Sequence, residues 1–163
     1  MSKEIIYQML PRLWGNIDKN NQPNGSIDEN GCGKFSSIDS ESLEYIKSLG
    51  ATCVWYTGIL RHATTCGTHG CVPSSSDWVK GKAGSPYSIT DYYDVNPYLA
   101  DSPENRMDEF RALVQRTHEA GLKVITDFVP NHVARDYKRF TEASPAPTGM
   151  ASLGQNDDNS VHW

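Results

Sequence analysis

The sequence predicts an α/β fold built on a parallel sheet with right-handed crossovers. Three observations carry this. Apolar runs of strand length recur, as in Leu122-Lys123-Val124-Ile125-Thr126; the segments between them place apolar residues at helical spacing; and these segments are opened by Ser or Asp and closed by Gly. Strands alternating with helices pack as β-α-β units, whose crossover is right-handed because a right-twisted strand feeding a right-handed helix returns to its sheet only that way.

The first strand is expected within Ile5-Ile6-Tyr7-Gln8-Met9-Leu10-Pro11-Arg12. Asn16 to Ser37, rich in Asn, Gly and Ser, reads as a long loop. Asp39 or Ser40 then caps a short helix with Leu43, Ile46 and Leu49 on one face, and Gly50 stops it. The second strand is expected to open in Leu49-Gly50-Ala51-Thr52-Cys53-Val54-Trp55, with Cys53 as a small buried hydrophobe. The second helix has Ser102 as N-cap, Pro103 at its first position, Glu104 at its positive end, a buried stripe of Met107, Phe110, Leu113, Val114 and Thr117, and Gly121 as stop. The third strand follows at 122–126. A short helical turn is expected from Ala134 to about Glu142, and irregular loop at 144–149 and 155–160. No internal repeat is evident.

Hydrophobic residues make up 37% and charged residues 21% of the chain, as in ordinary globular domains, and no run approaches the roughly 20 apolar residues of a membrane span. A net charge of -5 argues against general nucleic-acid binding, which needs a basic face to neutralise phosphates. Neither nucleic acid nor membrane is expected as a partner. Met1-Ser2-Lys3-Glu4 runs straight into the first strand without a leader pattern, which fits a cytoplasmic protein or a chain starting at a mature residue of a secreted or periplasmic one.

At the end of the third strand, Asp127-Phe128-Val129-Pro130-Asn131-His132 aims a carboxylate, an amide and an imidazole at one patch, where α/β folds bind ligands. A lone Asp or His at such a place is more often a turn former or a satisfied polar group. The context here is richer. The hexapeptide resembles the first signature region of the α-amylase family of glycoside hydrolases: Asp, three residues, Asn, His. Tyr7-Gln8 with Pro11-Arg12 resembles that family's first strand, Gly50 to Trp55 the opening of its second, and Tyr87 with Asp91-Tyr92 its Tyr-x-x-x-Asp-Tyr segment. Gly58 stands where many members carry Pro, which leaves the following loop geometry open.

The resemblance implies the N-terminal part, about three βα units, of a (β/α)8 TIM barrel. Such a barrel needs about 250 residues, so these 163 are expected to be part of a larger fold, with 1–135 forming strands one to three and 136–163 beginning a small domain inserted after strand three. Open sheet edges are then expected to favour self-association. The resemblance further implies a parent enzyme that cleaves or transfers α-glucosidic bonds of starch or maltooligosaccharides by the retaining route. Its catalytic carboxylates would lie on strands four, five and seven, so no catalytic residue is expected in this segment. By the same resemblance Tyr87 stacks on a sugar ring, Asp127 buttresses neighbouring polar groups, His132 hydrogen-bonds a sugar hydroxyl, and Asn131 corresponds to a calcium ligand in the members that bind that metal. The alternative is an amylase-like, non-catalytic binding or chaperoning subunit.

Two further constellations need weighing. His62, Cys66, His69 and Cys71 comprise a possible zinc set, but their spacing matches no common zinc module; a Cys66 to Cys71 disulfide in an exported protein, or free thiols in a cytoplasmic one, is favoured. Asn16, Asp18, Asn20 and Asn24 before Gly25 suggest a calcium loop. They lack a terminal bidentate Glu and read better as a solvated Asn/Gly turn.

Overall fold

A computed structural model describes residues 3–137. Three parallel strands form the main sheet: β1 (Ile6–Met9), β2 (Cys53–Tyr56) and β5 (Lys123–Thr126), in the order β1-β2-β5. Tyr7 pairs with Val54 and Val54 with Val124, so side chains two apart on neighbouring strands share a face.

One face is covered. Met9, Val54 and Tyr56 are buried on it against Phe35, Leu43, Ile46 and Leu113, which come from a 3₁₀ turn (Phe35–Ser37), α2 (Ser40–Ser48) and α3 (Arg106–Glu119). The Tyr56 hydroxyl lies 2.6 Å from Thr117 Oγ1, which in turn donates to the Leu113 carbonyl at 2.8 Å, so the buried hydroxyls cost no unsatisfied polar atom. On the opposite face the β1 side is open, with Ile6 52% exposed and Gln8 exposed beside it, while Trp55 and Ile125 are half-buried and Cys53 is buried. Among the described residues β1 and β5 each pair on one side only, and no barrel closes.

The caps explain the crossovers. Asp39 caps α2 by accepting the Ser42 amide at 2.8 Å, and Gly50 and Gly121 take the left-handed φ values of 85° and 81° that end α2 and α3. Three expectations need correcting. Leu49 is 53% exposed because it falls at the C-cap of α2, beyond the buried stripe. Ser102 opens a 3₁₀ turn (Pro103–Asn105) rather than α3, and its hydroxyl donates to Glu104 Oε1 at 2.5 Å; the Glu109 carboxylate takes the amides of Asp101 and Ser102 instead, each at 2.8 Å. The expected loop at 16–37 contains a one-turn helix, α1 (Ile27–Asn30), set by a capping box in which Glu29 N donates to Ser26 Oγ and Ser26 N to Glu29 Oε2.

The largest departure lies between β2 and α3. A second, antiparallel sheet pairs β3 (Leu60–His62) with β4 (Ile89–Val95) through bulged register. Asp94 ties it to the start of α3: Arg106 grips both carboxylate oxygens at 2.7 and 2.9 Å, and Arg61 donates to Oδ2 at 2.9 Å. From Ala134 the chain makes one turn, closed by Tyr137 N on the Ala134 carbonyl at 3.0 Å. The rest of the expected helical turn, and nearly all of the expected inserted domain, lie outside the described residues.

Candidate functional site

Strand β5 delivers Asp127 to the carboxyl end of the main sheet, one residue beyond Thr126. The register that sets Trp55 opposite Ile125 brings the Trp55 indole to Asp127, which accepts Nε1–H on Oδ1 at 2.7 Å. Its other oxygen accepts the Gly58 amide at 2.6 Å. Asp127 thus clamps the exit of β2 with both oxygens. The departure at Gly58 becomes intelligible here. Gly58 has φ 75° and supplies an N–H, whereas proline fixes φ near −65° and has none. A Cβ on Gly58 would also meet Pro86 Cβ at 2.8 Å, so the Pro86-Tyr87 turn sits directly against the residue that Asp127 holds.

Tyr87 is 43% exposed, and its backbone enters β4 two residues later. The chain after Asp127 runs along the same strand. Ala134 N donates to the Ile89 carbonyl at 2.8 Å and the Tyr92 hydroxyl donates to the Val129 carbonyl, so 129–134 forms a loop pinned to β4 at both ends. Asn131 and His132 occupy its tip, with Asn131 exposed, His132 half-buried, and His132 Nδ1 lying 3.0 Å from Asn131 Oδ1. The structure therefore gathers Asp127, the Tyr87 turn and the His132 loop at one end of the molecule. They are held unequally: Asp127 by two long-range hydrogen bonds, His132 by its own neighbour. The Trp55 and Gly58 contacts carry no signal in the sequence, because they depend on register between strands far apart in the chain.

Calcium fits poorly on the described residues alone. Asn131 offers one amide oxygen, already engaged with His132, where calcium takes six to eight oxygens. Among the described residues no three His, Cys, Asp or Glu side chains converge as a metal site. At 16–25 the Asn and Asp side chains are spent locally, Asn16 Oδ1 accepting from Asp18 N at 3.2 Å and Asp18 Oδ1 from Asn20 N at 2.9 Å. The zinc set also disperses. His62 is buried in β3, 2.8 Å from an Arg12 nitrogen through Nε2, while Cys66 and Cys71 are free thiols.

Burial sets two unusual titrations near the site. The His62 ring is held neutral, its pKa lowered to about 3 first by desolvation and then by the charge of Arg12. Asp91, on β4, is raised to about 6 chiefly by burial, against the opposing hydrogen bond from the Tyr93 amide at 2.6 Å.

With this geometry in hand, comparison with known proteins is decisive about kinship. The profile of the α-amylase catalytic domain matches residues 8–157. The chain belongs to the α-amylase family. It is 29% identical over 147 residues to a cyclomaltodextrinase of Thermoanaerobacter pseudethanolicus, covering 85% of this chain and 21% of that protein. It is 28% identical over 141 residues to a trehalose-6-phosphate hydrolase of Bacillus subtilis, covering 86% and 19%. Among solved structures it is similar to an α-amylase from Lactobacillus plantarum (29% identity, TM-score 0.56, 82% of this chain and 24% of that one). A maltogenic α-amylase from Thermotoga neapolitana is similar too (28%, TM-score 0.55, 82% and 25%). The chain thus spans about a fifth of the length of these curated relatives and about a quarter of these solved chains. Its sheet is the N-terminal part of a TIM-barrel fold. None of its described helices is long and apolar enough to cross a membrane.

Proposed function

We propose that the protein carrying this chain is a retaining glycoside hydrolase acting on α-glucosidic bonds of starch or maltooligosaccharides, and that this segment supplies substrate-binding residues but no catalytic carboxylate. The observation that carries the reading is the convergence of Asp127, the Tyr87 turn and the His132 loop at the carboxyl end of the sheet, in a chain of this family. Tyr87 presents an exposed aromatic face suited to the apolar side of a pyranose. His132, with one ring nitrogen turned to Asn131, has the other available to a sugar hydroxyl, where a hydrogen bond that strengthens toward an oxocarbenium-like transition state speeds the reaction. Asp127 acts through Trp55 and Gly58 by fixing the wall between them. The retaining route itself needs a nucleophile and a proton donor about 5 to 5.5 Å apart, from the part of the protein outside this segment. A calcium ion held by Asn131 belongs to the same reading only with oxygen ligands from outside the described residues.

The test is hydrolysis of a chromogenic maltooligosaccharide. The purified 163-residue chain is expected to show no turnover, and in the whole protein Tyr87→Ala is expected to lower kcat/KM without unfolding it. Turnover by the isolated chain that a substitution within it abolishes would overturn the division of labour. Sugar binding without turnover by the whole protein would instead identify a non-catalytic binding subunit.

A further inference from the structure

Arg12 follows β1 in a turn, and its guanidinium reaches across to the β3–β4 sheet. One terminal nitrogen contacts the Tyr98 hydroxyl at 2.6 Å, His62 Nε2 at 2.8 Å and the Ala83 carbonyl at 3.1 Å; the other donates to the Gly84 carbonyl at 3.4 Å. The guanidinium carbon lies 5.4 Å from the centre of the Tyr98 ring. Two features make this set specific to an arginine. Among the described residues no carboxylate pairs with Arg12, so its charge rests on two backbone carbonyls, a hydroxyl and an imidazole. The imidazole is oriented to join this set, since Nδ1 sits 3.0 Å from the Leu60 carbonyl; donation there leaves Nε2 as an acceptor, shared between Arg12 and the Tyr98 hydroxyl that Arg12 also holds.

The carbonyls that Arg12 holds belong to the segment leading to Tyr87. Gly84 has φ 74° and lies so close to β3 that a Cβ on it would come 1.8 Å from the Ala63 carbonyl oxygen. Residues 83 and 84 are therefore gripped from two sides, by the Ala63 backbone and by Arg12. The next four residues form a turn, in which Ser88 N donates to the Ser85 carbonyl at 3.1 Å, and Ala63 N donates to the Ser88 carbonyl at 2.8 Å. Tyr87 lies between these two anchors.

We propose that Arg12 is a positioning residue for Tyr87: it fixes, through the backbone at 83–84, the turn that presents the aromatic ring to substrate. The inference rests on the sugar-stacking role proposed for Tyr87, but the clamp can be measured without it. In the whole protein, Arg12→Lys keeps the charge and loses the fork, because one ammonium cannot span the four acceptors. Amide hydrogen exchange at 85–88, read at Ser85, Tyr87 and Ser88 because Pro86 has no N–H, is expected to quicken roughly five- to tenfold, the scale of one lost hydrogen bond, while β1, β2 and β5 keep their protection. On a maltooligosaccharide, kcat/KM is expected to fall, and the fall is expected to vanish when Arg12→Lys is made in a Tyr87→Ala background. Tyr98→Phe, which removes one Arg12 acceptor, should give a smaller version of both effects and stands in if Arg12→Lys does not fold.

Unchanged exchange at 85–88, an equal loss of protection throughout the sheet, or losses that multiply with Tyr87→Ala would overturn the proposal. If exchange quickens at 85–88 but Tyr87→Ala leaves turnover intact, the clamp stands and the sugar-stacking reading falls.

Discussion

Asp127 and His132 stand five positions apart in one short motif, yet the structure treats them oppositely. Both oxygens of the carboxylate are engaged by long-range bonds to Trp55 and Gly58, whereas among the described residues the imidazole hydrogen-bonds only the adjacent Asn131 side chain. A group whose two oxygens are each held by its own protein shapes a site first and has less left for a ligand. One held loosely on a loop tip can meet a ligand but contributes little to holding the fold. The two ends of the motif divide structural and chemical work between them.

The sharpest break of this comparison is His132→Ala in the whole protein. Turnover of α-glucans is expected to fall on the order of 10²–10³-fold, the scale of one lost transition-state hydrogen bond, with stability unchanged within about 0.5 kcal/mol. Wild-type kinetics would remove His132 from the site. Asp127→Ala should show the mirror image in unfolding experiments. Orphaning the Trp55 indole and the Gly58 amide is expected to cost about 2–3 kcal/mol of stability, and Asp127→Asn less, because its amide oxygen still accepts one of the two bonds. An unfolding midpoint unmoved by Asp127→Ala would show that the clamp carries no weight.

Acid titration probes the support of the looser end, since the His132 loop hangs from β4, the strand that bears Asp91. Asp91, with its pKa raised to about 6, binds its proton more tightly folded than unfolded, so its contribution to stability falls as pH rises between about 4 and 6. His62, lowered to about 3, works in the other direction: the unfolded chain takes up the proton below pH 6.5, and stability is lost as pH falls from there toward 3. The two oppose each other between pH 4 and 6. Asp91→Asn removes one of them, so its stability should drop more steeply on acidification from pH 6 to 4 than that of the wild type. Parallel curves from chemical denaturation would refute this. The mildest effect concerns the outer edges of the sheet. In light scattering the 163-residue chain is expected to exceed the mass of one copy, through the free edges of β1 and β5, and a clean monomer would show that those edges are covered.

Much of this was legible in the sequence wherever the determinants are local. Asp39, Gly50 and Gly121 announce α2 and α3 through backbone rules that act within a few residues, and the apolar runs of β2 and β5 need no partner to be recognised. The β3–β4 pair was not foreseen. Leu60–His62 is too short to show periodicity, and its pairing is interrupted by bulges, although the aromatic and β-branched residues of 89–95 carry a strand signal of their own. The Ser26 to Glu29 capping box was also readable and marks α1. At the site, Asp127 is visible as a motif, but its bonds to residues 72 and 69 positions away follow from strand register, which one sequence does not state.

The strand order β1-β2-β5 has a consequence for how the protein is made. Spatial order follows chain order, so each strand can be laid beside one already formed as the polypeptide leaves the ribosome. The wait between them is uneven. Residues 57–122 separate β2 from β5, and at about 5–20 residues per second their synthesis keeps the outer edge of β2 unpaired for roughly 3 to 13 s. During that interval the antiparallel β3–β4 pair emerges, whose partners both lie within the nascent stretch. It can close first and shorten the path over which β5 must find β2.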